Sequence, residues 1–350
     1  SKKINKKWTK KPRKNIAEMN DFVPPSTAPA VESKETKEAK ERAAVISTSI
    51  DAASAKLGAV RKGYWDDPFV HFFVNEDQEP LTHAPPLFNR GTTTRVACID
   101  CVARLFLEHG GRQVVNLGGG SDTTYARLRH GHAMPDDALW AEVDFPEVAA
   151  AKNARIAAHP ELRSAFGGRY AMRGVDLRDT DALKHVLVDE LGVDTQKPTL
   201  FVSEIVMVYM DAEAGDRIIE WAGRAFACSM FVTLEHIRPD DAFGRRMVAH
   251  IAERGCPLRS IAAYGTPEKQ QARYATRGFD TASSAFTMNE AYERLLPPGS
   301  AEARHVASLE ILDEVEEWHL LQDHYCFVVA LHDPQHTLHI DRPDALGFRL

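Results

Sequence analysis

No apolar run in this 350-residue sequence approaches the ~20 residues needed to span a bilayer. No N-terminal succession of charge, apolar stretch and cleavage site precedes the body of the chain. A membrane anchor and a secretory address are therefore both unexpected, and a soluble cytoplasmic protein is the expectation. A cysteine framework is missing as well. The five cysteines are Cys98, Cys101, Cys228, Cys256 and Cys326, and only the first two form a C-x-x-C pair. With no second pair to complete a zinc site, and no bound metal expected, VACIDCVARLFL reads as a helix carrying reduced, partly buried thiols. Also absent is any convincing His–Asp or Cys–His constellation that would activate a nucleophile.

Acidic residues are absent from the first fourteen positions, which hold eight basic ones: Lys2, Lys3, Lys6, Lys7, Lys10, Lys11, Arg13 and Lys14. The whole chain carries a net charge of −7, so this +8 arm leaves −15 on residues 15–350. An acidic body argues against a broad nucleic-acid surface. The arm itself is compatible with a nuclear address, a weak polyanion contact or a solvated tail. Residues 1–42, which include VPPSTAPAVESKETKEAKER, lack apolar periodicity and read as disordered, with helix starting near Glu41.

What is present is an ordinary globular composition, 44% hydrophobic and 27% charged, followed by a change of period along the chain. Residues 43–110 read as helical, with Ile46, Ile50, Ala53 and Leu57 on one face. A short helix is expected after GYW, capped by Asp66 or Asp67 with Pro68 in its first turn. A longer one is expected from about Gly91 to His109. From residue 111 to 332 strands and helices alternate. The strand candidates are Gln113–Leu117, Ala138–Val143, Tyr170–Val175, Thr199–Ser203, Met230–Leu234, Ser283–Thr287 and His324–Leu331. This alternation predicts an α/β fold with a doubly wound, mostly parallel sheet. The last two candidates suggest an antiparallel pair near one edge, with an inserted helical lobe at about 240–310 and a C-terminal tail over 333–350.

QVVNLGGGSDTTYARL, residues 113–128, is an apolar strand, three glycines and an acidic turn into a helix. Ligands of open parallel sheets bind beyond the carboxyl ends of the strands, where the chain order reverses. Gly118 and Gly120 carry no Cβ to obstruct a nucleoside there. The second strand ends at Asp144, two dozen residues on, where an acid accepts hydrogen bonds from ribose hydroxyls. The third ends in Asp176, placed to meet an adenine amino group, with Leu177 beside the ring. The fourth ends in Glu204. Asp122 at the glycine turn would repel the pyrophosphate of a dinucleotide. S-adenosylmethionine carries no phosphate, and its sulfonium and ammonium suit an acidic rim. Its carboxylate needs a cation, for which Lys56 and Arg95 are candidates.

These stretches resemble the leucine carboxyl methyltransferases. The resemblance is carried by GYWDDPFVHFF (63–73), NRGTTTRV (89–96), VVNLGGGSDTTYARL (114–128), EVDFP (142–146), VDLRD (175–179), TLFVSEIVMVYM (199–210) and SLEILDEVEEWHLLQDHYC (308–326). It covers about residues 45–332. It implies an S-adenosylmethionine-dependent methyltransferase sheet under a helical lid, expected to act as a monomer. The implied substrate is the C-terminal leucine of a type 2A protein phosphatase catalytic subunit, methylated with release of S-adenosylhomocysteine. The resemblance places cofactor contacts on Lys56, Arg95, Gly118, Asp144, Asp176, Leu177 and Glu204. It also implies acceptor positioning by Tyr209, together with Arg95. Thr92–Thr94 lack the aromatics usual in this motif, so the acceptor side of the pocket is expected to differ. An α-carboxyl group ionises at roughly pH 3.3–3.7, so a methyl ester can form without a general base. Three other readings remain open. One is a methyltransferase for a small-molecule acid. Another is the related enzyme of wyosine tRNA synthesis, whose β-propeller extension has no room after residue 332. The third is a nucleotide-binding or NAD-dependent protein that transfers no methyl group.

Overall fold

The computed structural model describes residues 33–75 and 84–345. The basic arm, and most of the segment expected to be disordered, lie outside them. The chain divides into two compact units, residues 1–38 and 39–350, and the second holds every element discussed below except the start of the first helix. That helix, α1 (Lys34–Arg61), begins well before Glu41, so residues 34–42 are helical rather than disordered. The sequence signal was weak because this stretch is almost entirely polar. It is rich in Lys, Glu and Ala, however, which favour helix without any apolar stripe.

The short helix expected after GYW is a 3-10 turn over Val70–Phe73 that starts after Pro68 and has Phe69, not Asp66 or Asp67, at its N-cap. Asp67, just upstream, accepts the N–H groups of Phe69 (2.9 Å) and Val70 (3.0 Å). Helix α2 (Pro86–Glu108) starts a turn before Gly91, with proline in its first turn. Then the alternation begins: β1 (Gln113–Leu117), α3 (Thr124–His130), β2 (Leu139–Asp144), α4 (Pro146–Ala158), α5 (Pro160–Ala165), β3 (Tyr170–Gly174) and α6 (Thr180–His185). It continues through β4 (Thr199–Glu204), α7 (Ala212–Arg224) and β5 (Ser229–His236). Helices α8 (Ala242–Glu253) and α9 (Pro267–Ala275) precede β6 (Ala282–Thr287). Helices α10 (Met288–Leu295), α11 (Ala301–Leu309) and α12 (Val315–Gln322) separate it from β7 (Tyr325–His332). The helices expected at 240–310 therefore fall into two runs, one on either side of a strand of the main sheet.

The seven strands lie in the order β3-β2-β1-β4-β5-β7-β6. The pairs from β3 to β5 are parallel, while β7 runs antiparallel to both β5 and β6. Chain order reverses between β1 and β4, which makes their carboxyl ends the topological switch point. Between the part-exposed edge strands β3 and β6, both faces of the sheet are buried, and the pleat sorts side chains between them with period two. Val114, Trp140, Leu200, Val202, Val232 and Phe327 belong to the core under α2 and α3. Val115, Ala141, Val143, Phe201, Phe231 and Val328 belong to the core under α6 and α7. The C-terminal tail is anchored at Leu338, which is buried and whose carbonyl accepts from His109 Nδ1 at 2.9 Å. All five cysteines are free and buried. Among the described residues, no helix is long and apolar enough to cross a membrane.

One buried ion pair fixes the glycine turn to the sheet. Lys152 of α4 donates to Glu142 of β2 (2.5 Å) and to the Asp122 carbonyl (2.7 Å). Tyr170 and Trp140 complete the Glu142 shell at 2.9 and 3.1 Å. Removing one member of such a pair strands the other charge in a low-dielectric interior. Lys152→Met should therefore lower unfolding stability by about 3–5 kcal/mol, with Lys152→Met/Glu142→Gln recovering much of it. Urea unfolding curves that coincide with wild type would show that the pair is not a structural tie.

Candidate functional site

The strand ends at the switch point receive side chains from both preceding helices. Glu204, the last residue of β4, accepts from Lys56 of α1 at 3.0 Å and from Arg95 Nε of α2 at 2.9 Å. A second Arg95 nitrogen also binds the same carboxylate. Lys56 reaches Asp122 at 3.2 Å, and Asp122 accepts in turn from Asn116 (3.3 Å) and Thr124 (3.1 Å). Two cations and two carboxylates thus form one compact group without net charge. Burial opposes ionisation of each member, yet the partners prevail. The Lys56 and Arg95 pKa values are raised, Glu204 is lowered, and Asp122 is held down to about 2. All four remain charged at neutral pH.

The neighbouring subsite lies at the ends of β2 and β3. Asp144 accepts from the Gly120 N–H (2.8 Å) and the Phe145 N–H (2.7 Å), although burial pushes its pKa upward. Gly118 and Gly120 both have positive φ, at +71° and +45°. A Cβ at Gly118 would stand 2.5 Å from Val206, and one at Gly120 would stand 3.2 Å from Ser49 of α1. The glycines are therefore needed for backbone conformation and for packing of protein against the turn, and not simply to leave room for a nucleoside. Asp176 lies just beyond β3 between Arg178 (2.6 Å) and Arg42 of α1 (3.4 Å), with the buried Leu177 beside it. Arg42 also bonds Glu147 (2.8 Å) and stacks 4.2 Å from the centre of the Phe145 ring.

Tyr209 lies in a 3-10 turn, Met207–Tyr209, just after β4. Burial pushes its phenol well above the ordinary range, so it stays protonated. This turn is anchored by Glu235 of β5, whose carboxylate accepts the N–H groups of Met207 (2.9 Å) and Val208 (3.0 Å). Thr93 and Thr94 turn their hydroxyls back to the carbonyls of Asn89 and Arg90, each at 2.8 Å. Their polarity is therefore spent on the helix backbone.

The structure thus brings Lys56, Arg95 and Glu204 into one cluster, and Gly120 with Asp144 into a second. Asp176, Leu177 and Tyr209 take places along the same rim. The sequence reading missed the Lys56–Asp122 contact and the anchoring role of Glu235. A reading that ended the fifth strand at Leu234 stopped one residue short of Glu235, although an acid in an otherwise apolar strand is a visible signal. The chemistry of the first cluster suits a zwitterion: a bound carboxylate can take the cations while an ammonium takes the acids, leaving no charge unpaired. With Asp144 and Asp176 at the neighbouring strand ends, the residues present fit an amino acid joined to a nucleoside.

A family model described as Leucine carboxyl methyltransferase matches residues 44–223. Over 309 residues the chain is 35% identical to a Leucine carboxyl methyltransferase 1 homolog of Arabidopsis thaliana, covering 83% of this chain and 90% of that protein. It is 34% identical over 305 residues to Leucine carboxyl methyltransferase 1 of Rattus norvegicus, with 82% and 89% covered. It is also 34% identical over 309 residues to tRNA wybutosine-synthesizing protein 4 of Homo sapiens, covering 82% of this chain but 44% of that one.

Glu235 makes the stability of this rim depend on pH. Burial pushes its carboxyl up to about 7, against the pull of Arg273 and the backbone N–H groups. An unfolded glutamate titrates near ~4.3. The folded chain holds this proton more tightly, so the associated stability is complete below about pH 4.3 and is lost as pH rises through about 7. Glu235→Gln should remove that component, and its unfolding free energy should fall less between about pH 5 and 8 than that of wild type. Parallel urea-unfolding profiles would show that Glu235 ionises normally.

Proposed function

The chain belongs to the leucine carboxyl methyltransferase family, and from that premise we propose an S-adenosylmethionine-dependent methyltransferase acting on the C-terminal leucine carboxylate of a type 2A protein phosphatase catalytic subunit. The observation that carries this reading is the neutral group of Lys56, Arg95, Glu204 and Asp122 at the switch point. It matches the cofactor's methionine end, which bears one carboxylate and one ammonium. Lys56 and Arg95 would hold the first, and Glu204 and Asp122 the second. Asp144 would take the ribose hydroxyls, and Asp176 with Leu177 the adenine, while Gly118 and Gly120 shape the turn beside them.

When bound, the cofactor would supply a sulfonium methyl open to in-line attack by a carboxylate oxygen, the oxygen–carbon bond of the ester forming as the carbon–sulfur bond breaks and S-adenosylhomocysteine leaves. Because a terminal carboxyl is ionised above roughly pH 3.3–3.7, the chain has no proton to remove. Tyr209, kept protonated, is suited to donate to the acceptor rather than to act as a base. Helices α1 and α2 bring their cations over the strand ends and exclude water from them. Catalysis then rests on alignment, which can contribute ~7–11 kcal/mol when reacting groups are held in near-attack geometry. A tRNA acceptor is the second reading, favoured by the 34% identity to a wybutosine-synthesizing protein. The charge of −15 on residues 15–350 weighs against a polyanionic substrate.

Incubation with labelled S-adenosylmethionine tests the acceptor. Base-labile label should enter the phosphatase catalytic subunit and disappear when its terminal leucine is removed. Label on both forms would refute the terminal carboxylate, and label on tRNA instead would establish the second reading. Arg95→Ala should abolish transfer, and normal activity in this variant would end its assignment. Asp144→Asn should weaken cofactor binding by roughly 1.5–3 kcal/mol, about ten- to hundredfold in Kd, the range for a hydrogen bond to a charged group. Unchanged affinity by calorimetry would remove Asp144 from the site.

A further inference from the structure

The rim continues past Glu204 onto β5 and β7, where a histidine stands with no assigned role. His236 ends β5 and pairs in register with Tyr325, the first residue of β7. Their ring centres are 4.6 Å apart. His236 is 4% exposed, and its Nδ1 is sealed from solvent without a hydrogen-bond partner. A buried N–H left unpaired is rarer and costlier than a bare lone pair. The proton of the neutral ring therefore rests on Nε2. The charged and titratable groups around it are Arg95 on α2, Tyr325 on β7, and His324 just before β7, whose Nε2 lies 3.0 Å from Asp241. Burial first, then Arg95 and His324, push the imidazole pKa down to about 3, so it carries no charge at neutral pH.

Arg95 also acts electrostatically on Tyr209 and Tyr325, which places one guanidinium among three neutral polar rings. Such a setting suits a carboxylate nucleophile. A second cation would draw charge from the attacking oxygen, whereas a neutral donor fixes the direction of the group and leaves its charge in place.

We propose that His236 holds the acceptor, its Nε2–H donating to the carboxylate oxygen that does not attack the methyl group. This rests on the carboxylate-acceptor reading above. The residue thereby selects for an acceptor with a second oxygen beside the nucleophilic one.

The test uses the full chain, labelled S-adenosylmethionine and the phosphatase catalytic subunit. In His236→Leu, kcat/KM for the acceptor should fall by about ten- to hundredfold, as expected for losing one bond to a charged group. Calorimetric affinity for S-adenosylhomocysteine should stay within about twofold of wild type. His236→Gln, whose amide can place an N–H near the Nε2 position, should recover most of the loss. Full activity in His236→Leu would overturn the proposal. So would a His236→Gln variant no better than His236→Leu, or a parallel fall in cofactor affinity, which would mark a structural role. If wild type itself leaves the subunit unlabelled, the acceptor reading fails and takes this proposal with it, an outcome read before any variant is made.

Discussion

The Glu204 carboxylate is the point at which the rest of this rim is tied together. One of its oxygens holds Lys56 from α1 and the other holds Arg95 from α2, so two successive helices meet at the end of a strand about a hundred residues further on. Without it, two cations would face each other across a buried turn. Asp122 takes a share of Lys56 and completes the neutrality. A charge cluster of this kind is stable only as a whole, since each member would be costly to bury alone. The helices therefore owe their position over the sheet to ionic contacts as well as to the apolar contacts of Ala53, Leu57, Val96 and Ile99.

Buried polar ties recur wherever a loop must be held at the carboxyl ends of the strands. Glu142 and Lys152 hold the loop after β1 through the Asp122 carbonyl. Asp144 holds Gly120, and Glu235 holds the turn that carries Tyr209. In the second and third cases a carboxylate satisfies backbone N–H groups that a tight turn would otherwise leave without partners. The rigid sheet supplies the acids, and the loops are fixed by donating their N–H groups to them, so flexible connections gain defined geometry.

Much of this was legible in the sequence, and for identifiable reasons. Strands buried on both faces are near-continuous apolar runs, and β1, β2, β4 and β5 announced themselves that way, whereas the part-exposed edge strand β3 did not. The acids Asp144 and Glu204 stood out because a carboxylate at the end of such a run has no packing reason to be there. The start of α1 was not legible, because a polar helix has no hydrophobic stripe and its propensity alone is a weak signal. The reason for the glycines was also obscured: Val206 and Ser49, which crowd Gly118 and Gly120, are distant in sequence. Glu235 escaped because its partners are backbone groups of another loop, and no residue type encodes those. Thr92–Thr94 stood out only as lacking the motif's usual aromatics; what the sequence did not show is that a helical threonine hydroxyl readily turns back to the carbonyl four residues earlier, as Thr93 and Thr94 do.

Helix α1 reaches the rim at three heights: Arg42 beside Asp176, Ser49 against Gly120, and Lys56 on Glu204. A molecule lodged between these contacts and the strand ends has the helix as its roof. Lifting the helix to release it would part several ion pairs together, so its residence time would be tied to that motion rather than to the strength of any one contact. The same roof would make exchange of spent for fresh ligand a gated event, slower than diffusion and sensitive to changes on the helix's outer face, which is turned away from the ligand.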